Sequence, residues 1–174
     1  MHLLADGNSG FQGDELLHIE AGNHLSFGYN EFPPLIGLLA FIQNLIGNNS
    51  VATHHLFSHI ASVLIMIYVA KSTLELGGKY SAVLIALICI LIAPGFGRSQ
   101  QLFQPVVFSQ LFWVLSAYQL IRYLKYNDGR FLWYLTIFLA LAFLTKYDVV
   151  FLLAGLPFLF FFKEARRKLF AHRF

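Results

Sequence analysis

Two adjacent carboxylates, Asp14 and Glu15, are the leading candidates for catalytic residues in this sequence. A positioned carboxylate can act as a general base on an acceptor hydroxyl or amine. The second carboxylate can shift the pKa of the first or help to hold a divalent cation. The alternative is structural, because acids in the first turn of a helix complement the macrodipole and Asp14 can serve as an N-cap.

Two isolated cations, Lys146 and Arg98, are candidate ligands for a phosphate group. Lys146 lies in the short stretch 145–148 between two apolar segments, and Arg98 follows Pro94-Gly-Phe-Gly. An ammonium or guanidinium group at the membrane surface can bind a lipid phosphate. The alternatives for Lys146 are a side chain that extends toward the interface or a local ion pair with Asp148.

The histidines suggest a weaker possibility, a transition-metal site. His55 and His59 are four residues apart, and His18 lies one helical turn from Asp14 and Glu15. Such spacings suit metal binding, but no third ligand is evident from the sequence. We therefore interpret these histidines as interfacial or buried polar residues.

The composition of the chain is that of an integral membrane protein, so membrane helices are expected to position these residues. Of 174 residues, 57% are hydrophobic and 12% charged, and the mean hydropathy is +0.64. Ordinary soluble domains carry about 25% charged residues, and disorder requires low hydrophobicity. A single cysteine excludes a disulfide scaffold. The net charge of +3 comes from short basic clusters between apolar segments, a pattern that argues against nucleic-acid binding.

Apolar segments predict an all-α bundle of about five transmembrane helices over residues 53–163. The last two predicted spans are short for a hydrocarbon core of about 30 Å. The predicted segments are His55–Val69, Tyr80–Phe96, Leu102–Leu124, Phe131–Thr145 and Val149–Phe162.

The distribution of charge predicts the orientation of the chain. If the first span runs inward, ten of the 12 Lys and Arg residues are cytoplasmic, including the basic tail 164–174. Only Arg98 and Lys146 then lie outside, together with six of the nine acidic residues. Asp14, Glu15 and Glu31 are among these outer acids, so the candidate chemistry lies on the outer side.

Residues 1–52 are predicted to form an outer loop with two helices along the membrane interface. The first covers 14–28 and ends at Gly28, and the second covers 35–47. Pro33 and Pro34 separate the two helices, because proline interrupts helical hydrogen bonding.

Three stretches resemble a known family in their order along the chain. They are the outer-loop segment from Gly13-Asp-Glu-Leu-Leu to Glu31-Phe-Pro-Pro34, Gln104-Pro-Val-Val-Phe-Ser-Gln-Leu-Phe-Trp113, and Leu141-Ala-Phe-Leu-Thr-Lys-Tyr147. Together they resemble polytopic lipid-linked sugar transferases of the GT-C fold. These are the dolichyl-phosphate-mannose-protein mannosyltransferase-like, or family 39-type, enzymes, which include bacterial aminoarabinose transferases.

The resemblance implies a glycosyltransferase in the cell membrane, of the bacterial inner membrane type. A polyprenyl-phosphate sugar donor would bind from the membrane lipid, and the sugar would pass to a lipid, glycan or protein acceptor on the outer side. Asp14, together with Glu15, would be the catalytic carboxylate, and Glu31 matches an acidic position of the family's loop. Lys146 matches a Thr-Lys motif and would contact the donor phosphate. A divalent cation is compatible with this mechanism but not required.

The sequence also departs from the family's pattern. Ser109 stands where many relatives have Asp, and residues 1–12 are too short and polar for the membrane helix that should precede Asp14. We therefore expect the chain to correspond to the N-terminal part of such an enzyme, as a fragment, a truncated reading frame or a split protein whose missing helices come from a second chain. The competing interpretation is a non-catalytic membrane subunit, or an inactive fragment, that binds lipid or a partner chain.

Overall fold

The described part of the chain is entirely helical. The computed structural model describes residues 10–46, 51–163 and 166–167. Within these ranges there are eight α-helices, one 3-10 helix and no strand, which confirms the prediction of an all-α fold. The elements are α1 (Gly13–Ala21), α2 (Leu35–Ile46), α3 (Val51–Glu75), α4 (Tyr80–Ile92), α5 (Pro94–Gln101), α6 (Pro105–Tyr126), α7 (Arg130–Thr145), α8 (Val149–Gly155) and the 3-10 helix Leu156–Phe161.

Three helices, α3, α6 and α7, form the body of the molecule, in which α6 runs parallel to α3 and antiparallel to α7. α6 packs against both of the others, and its buried face includes Val107, Leu111 and Leu115. At 1.5 Å per residue the 25-residue α3 is about 37 Å long. At one end of this body, Lys125 Nζ of α6 lies 2.8 Å from Glu75 Oε2 of α3. The chemistry predicted from the sequence lies at the other end.

Membrane spanning is supported for fewer segments than the five predicted. By length and apolar composition α3 qualifies as a span, and the bent pair α4–α5 qualifies if it is one broken span. Among shorter apolar helices are α7 and the segment Val149–Leu159. Only 22% of the apolar window of α3 is buried, and no residue of α4 is buried. Apolar surfaces this exposed require lipid or another protein to cover them.

The predicted span Tyr80–Phe96 is wrong as one straight helix. The structure divides it into α4 and α5, which meet at an angle of 71°. The cause is Pro94, which has no amide hydrogen to donate and disfavours helical geometry in the preceding residue. Accordingly Ala93 is extended, with φ −70° and ψ 113°. α5 then lies against α3, where the Ser62 hydroxyl donates to the Gln100 carbonyl at 3.2 Å.

The first predicted loop helix ends earlier than expected, at Ala21 rather than Gly28. The backbone of Gly22 packs directly against α2, and a Cβ at Gly22 would lie 2.7 Å from the backbone of Ala40. After this contact the chain forms an irregular loop that returns to α1, where the Tyr29 hydroxyl donates to the Ala21 carbonyl at 2.8 Å. The close approach of two helices therefore decides where α1 ends.

The second loop helix, predicted over 35–47, is observed as α2 over Leu35–Ile46. The last predicted span, Val149–Phe162, is α8 followed by the 3-10 helix Leu156–Phe161. The parts of the predicted outer loop at 1–9 and 47–50 lie outside the described residues, and so does the basic tail 164–174 apart from 166–167. The division into outer loop, membrane region and tail stays a prediction.

Candidate functional site

Glu15 is fully buried and joins three parts of the fold. Its Oε1 accepts hydrogen bonds from His55 Nε2 of α3 at 2.7 Å and from the Phe103 amide at 2.8 Å. Its Oε2 accepts a hydrogen bond from the Gln12 amide at 2.8 Å. Both carboxylate oxygens are therefore used to fasten the start of α1 to α3 and to the segment before α6.

The surroundings of Glu15 favour its charged form. Burial by itself raises the pKa of a carboxyl group. Hydrogen bonds from His55 and from the amides of Gln12 and Phe103 outweigh that effect, so the pKa of Glu15 lies below its usual value. Glu15 is accordingly a carboxylate at neutral pH, held by charge-assisted hydrogen bonds.

Asp14, the neighbouring acid, lies in a different environment. It is exposed in the first turn of α1 and lines a cavity of about 260 Å³. Glu31 and Lys146 line the same cavity, so the structure brings together three of the five residues predicted for the site. The lining residues are Asp14, Leu17, His18, Glu31, Phe32, Gln104, Pro105, Val106 and Lys146.

Four segments distant in sequence build this cavity. α1 supplies one wall, the loop before α2 supplies a second, the start of α6 a third, and the residue after α7 the last. The hydrogen bond from the Phe103 amide to Glu15 holds α1 beside the start of α6. Buried Glu15 therefore positions exposed Asp14, because adjacent residues of one helical turn move together.

Lys146 lines the cavity and has Asp148 as its ion-pair partner. Its Nζ is 3.8 Å from Asp148 Oδ2, and the Lys146 side chain is 42% exposed. A pair this open contributes about 0–1 kcal/mol, so the ammonium group keeps the capacity to bind an anion. The Ser109 hydroxyl donates to Asp148 Oδ1 at 2.8 Å, which places a carboxylate beside the position where the resemblance would have an aspartate.

Glu31 and Phe32 separate this cavity from a larger one of about 510 Å³. The larger cavity lies between α1 and the loop that follows it. Glu31 belongs to both linings. The second lining comprises Leu17, Glu20, Ala21, His24, Ser26, Gly28, Tyr29, Asn30, Glu31 and Phe32.

Arg98, the remaining predicted site residue, lies elsewhere. It is exposed on α5 and does not line either of these two cavities. The histidine spacings do not form a metal centre in the described ranges, where no three His, Cys, Asp or Glu side chains are grouped to hold an ion. His55 instead contacts Glu15, and its ring centroid is 6.0 Å from that of His59.

His18, interpreted from the sequence as an interfacial or buried polar residue, also lines the cavity. It is 9% exposed, and its ring centroid lies 4.8 Å from that of Phe32. Burial lowers the pKa of His18, while the charges of Asp14, Glu15 and Glu31 act in the opposite direction. The spacing of four residues from Asp14 already puts both side chains on one face of α1.

Comparison with known proteins gives one family. A sequence model described as dolichyl-phosphate-mannose-protein mannosyltransferase matches residues 31–174, more than four fifths of the chain. The match includes Glu31, Arg98 and Lys146 and begins after Asp14 and Glu15. No curated protein and no solved structure gives a significant match. The chain belongs to the dolichyl-phosphate-mannose-protein mannosyltransferase family, whose members are membrane-embedded glycosyltransferases that use a lipid-linked sugar.

Proposed function

We propose that this chain is a glycosyltransferase module that transfers a sugar from a polyprenyl-phosphate donor to an acceptor on the outer side of the membrane. The observation that carries the proposal is the shared cavity of Asp14, Glu31 and Lys146 in a member of this family. A carboxylate and an ammonium group in one cavity provide the base and the phosphate ligand that such a transfer needs.

The donor phosphate binds at Lys146 in this mechanism. The Asp14 carboxylate accepts the proton of the acceptor hydroxyl, and the acceptor oxygen attacks the anomeric carbon. As that bond forms, the bond between the anomeric carbon and the phosphate oxygen breaks, and polyprenyl phosphate leaves. Lys146 offsets the charge on the departing phosphate, an electrostatic contribution that is largest where charge develops.

The isoprenoid chain of the donor has a suitable neighbouring site. A nearly wholly apolar cavity of about 340 Å³ lies between α2, α3, α6 and α7. Its lining includes Leu35 and Phe108, which are three residues after Phe32 and Pro105 of the polar cavity. Pro105 and Phe108 are about one helical turn apart on α6, and the donor's phosphate and first isoprene units would occupy the polar and the apolar cavity along this helix.

Glu15 and Arg98 have different places in this proposal. Glu15 acts as a positioning residue, because both of its oxygens are bonded to protein donors. We assign the phosphate to Lys146 alone, since Arg98 does not line the cavity. Glu31 lies between the two cavities and is proposed to bind hydroxyl groups of the sugar or the acceptor.

A second candidate function is a non-catalytic subunit that binds polyprenyl phosphate. The apolar cavity between α2, α3, α6 and α7 favours it, because lipid binding alone needs only that cavity and a cation. The two candidates differ in whether Asp14 matters for turnover.

The test is transfer of radiolabelled mannose from mannosyl polyprenyl phosphate in membranes that contain the full chain. Asp14→Asn is expected to lower the transfer rate by about 10²–10⁴-fold, the contribution of a general base. Lys146→Gln should weaken donor binding, whereas Arg98→Gln is the control that removes an exposed cation outside the cavity.

Equal transfer by the wild type and Asp14→Asn would contradict the catalytic assignment. Saturable donor binding without transfer by any of these proteins would favour the lipid-binding subunit. Equal effects of Lys146→Gln and Arg98→Gln on donor affinity would contradict the assignment of the phosphate to Lys146.

A further inference from the structure

We propose that His18 binds a hydroxyl group of the donor's sugar inside the cavity of Asp14 and Lys146. This inference rests on the proposed function and adds a sugar-recognising residue to it. The sequence analysis interpreted His18 as an interfacial or buried polar residue, with metal binding as the weaker alternative, and the position lies outside the residues matched by the family.

The first support is the position of the His18 imidazole. His18 lines the cavity although only 9% of its surface is exposed. The ring packs against that of Phe32, whose centroid is 4.8 Å away. A hydrogen bond from a largely desolvated polar group to a ligand is electrostatically stronger than the same bond in water.

The second support is that one ring nitrogen of His18 has no hydrogen-bond partner in the described part of the protein. This nitrogen is Nδ1, which is buried. Because buried Nδ1 is enclosed by protein, Nε2 is the ring nitrogen through which a ligand can be bound, and a neutral imidazole with its proton on Nε2 has a donor there. This tautomer leaves Nε2–H available to donate to an oxygen in the cavity.

The third support is the match between the cavity walls and a sugar. Leu17, Phe32, Pro105 and Val106 provide an apolar side, and the carboxylates of Asp14 and Glu31 provide acceptors for hydroxyl groups. A pyranose has an apolar C–H face and a hydroxylated rim. The volume of about 260 Å³ is close to the lower limit of small-molecule pockets, roughly 300 Å³, so the cavity suits one sugar unit.

Burial lowers the pKa of His18 and so favours its neutral form, although the nearby carboxylates act in the opposite direction. The charged groups that act on it are Asp14 and Glu15 of α1 and Glu31 of the loop, and Lys146 also lines the cavity. In its neutral form His18 can contact a sugar hydroxyl without adding to the positive charge that Lys146 offers the phosphate. The two residues therefore recognise different parts of one donor.

The experiment compares two ligands on the purified full chain in lipid nanodiscs. The probes are radiolabelled mannosyl polyprenyl phosphate and polyprenyl phosphate without sugar. His18→Phe keeps an aromatic ring against Phe32 and removes the hydrogen bond, and His18→Gln keeps a side chain that can donate. Lys146→Gln is the matched control for the phosphate.

If His18 contacts the sugar, His18→Phe weakens binding of the mannosyl lipid by about three- to tenfold, the range for one hydrogen bond. Binding of the sugar-free lipid stays unchanged, which also shows that the variant is folded. His18→Gln restores part of the lost affinity, and Lys146→Gln weakens both ligands equally.

An equal loss for both lipids, or no loss for either, in His18→Phe would overturn the inference while leaving the proposed function intact. A wild-type protein that binds neither lipid would instead contradict the proposed function itself. A loss confined to the mannosyl lipid that His18→Gln does not reverse at all would overturn the hydrogen bond, because a side chain that can donate would then be no better than phenylalanine.

Discussion

At the residue scale, the two adjacent acids of α1 have opposite surroundings. Glu15 is buried under three hydrogen bonds, and Asp14 is exposed at a cavity. Consecutive residues of a helix point about 100° apart, so one can face the protein interior while the next faces a ligand. The pair thus combines an anchor and a candidate base in a single turn.

Glu15 provides a prediction for stability and its pH dependence. Glu15→Gln should destabilise the fold by about 3 kcal/mol, because it removes the buried charge that His55 and two amides are arranged to bind. A depressed pKa contributes stability that is present above the unfolded value, about 4.5, and lost as the pH falls through the folded value. The measurement is the apparent Tm in detergent from pH 7 to pH 3.

The control for this measurement is Glu20→Gln. Glu20 is on the same helix, but its side chain is 62% exposed and its ion-pair partner, His24, is 79% exposed. We expect its apparent Tm to follow that of the wild type at every pH. If Glu15→Gln melts like the wild type and loses stability over the same acid range, the anchor role is wrong.

Sequence reasoning at this scale identified residue types better than their surroundings. Asp14, Glu31 and Lys146 were selected from charge, spacing and resemblance, and all three line one cavity. The sequence alone does not predict that Glu15 is buried, because its partners His55 and Phe103 are 40 and 88 residues away along the chain. Long-range contacts of this kind leave no local pattern in a sequence.

At the element scale, the sequence predicts that a helix is present more reliably than it predicts where the helix ends. α2 and α7 match their predicted segments because apolar runs bounded by polar or proline residues define them. The break between α4 and α5 follows from Pro94, which was present in the sequence but placed inside a span. The end of α1 depends on packing against α2, which only the structure reveals.

The contact between α1 and α2 gives an element-scale prediction. Gly22→Ala should destabilise the fold by about 1–3 kcal/mol, because the added methyl group would lie 2.7 Å from the backbone of Ala40, too close for ordinary packing. The apparent Tm in detergent measures the effect, and donor binding measures its consequence for the cavity.

Gly13→Ala is the matched control, since a methyl group at Gly13 meets no atom within 4 Å and the residue starts the same helix. We expect Gly13→Ala to be neutral or slightly stabilising. Similar melting of the two variants would mean that α1 does not pack closely on α2.

At the scale of the whole molecule, the bundle separates two ends with different chemistry. Asp14, Glu31 and Lys146 lie at one end, and the ion pair of Glu75 with Lys125 lies at the other. The sequence predicted this separation from charge, because basic residues accumulate in cytoplasmic loops. The number of spans was less predictable, since helices of 7 to 16 residues need the fold around them to reach across a bilayer.

The orientation of this bundle is a testable prediction. In a Cys89→Ala background, Asn30→Cys should react with a membrane-impermeant maleimide in intact cells, because the loop before α2 is expected outside. Lys79→Cys, in the connection between α3 and α4, should react only after permeabilisation. Both native side chains are exposed, so labelling in the reverse order would mean that the cavity faces the cytoplasm.

The hydrogen bond between Glu15 and the Phe103 amide also has a consequence for biosynthesis. The two residues are 88 positions apart, and a chain emerges from the ribosome in order, at about 5–20 residues per second. At that rate, α1 is synthesised about 4–18 s before the Phe103 amide that completes the surroundings of Glu15. Until Phe103 has been made, the buried Glu15 carboxylate lacks one of its three hydrogen-bond donors, so α1 reaches its final surroundings only after the segment before α6 is synthesised.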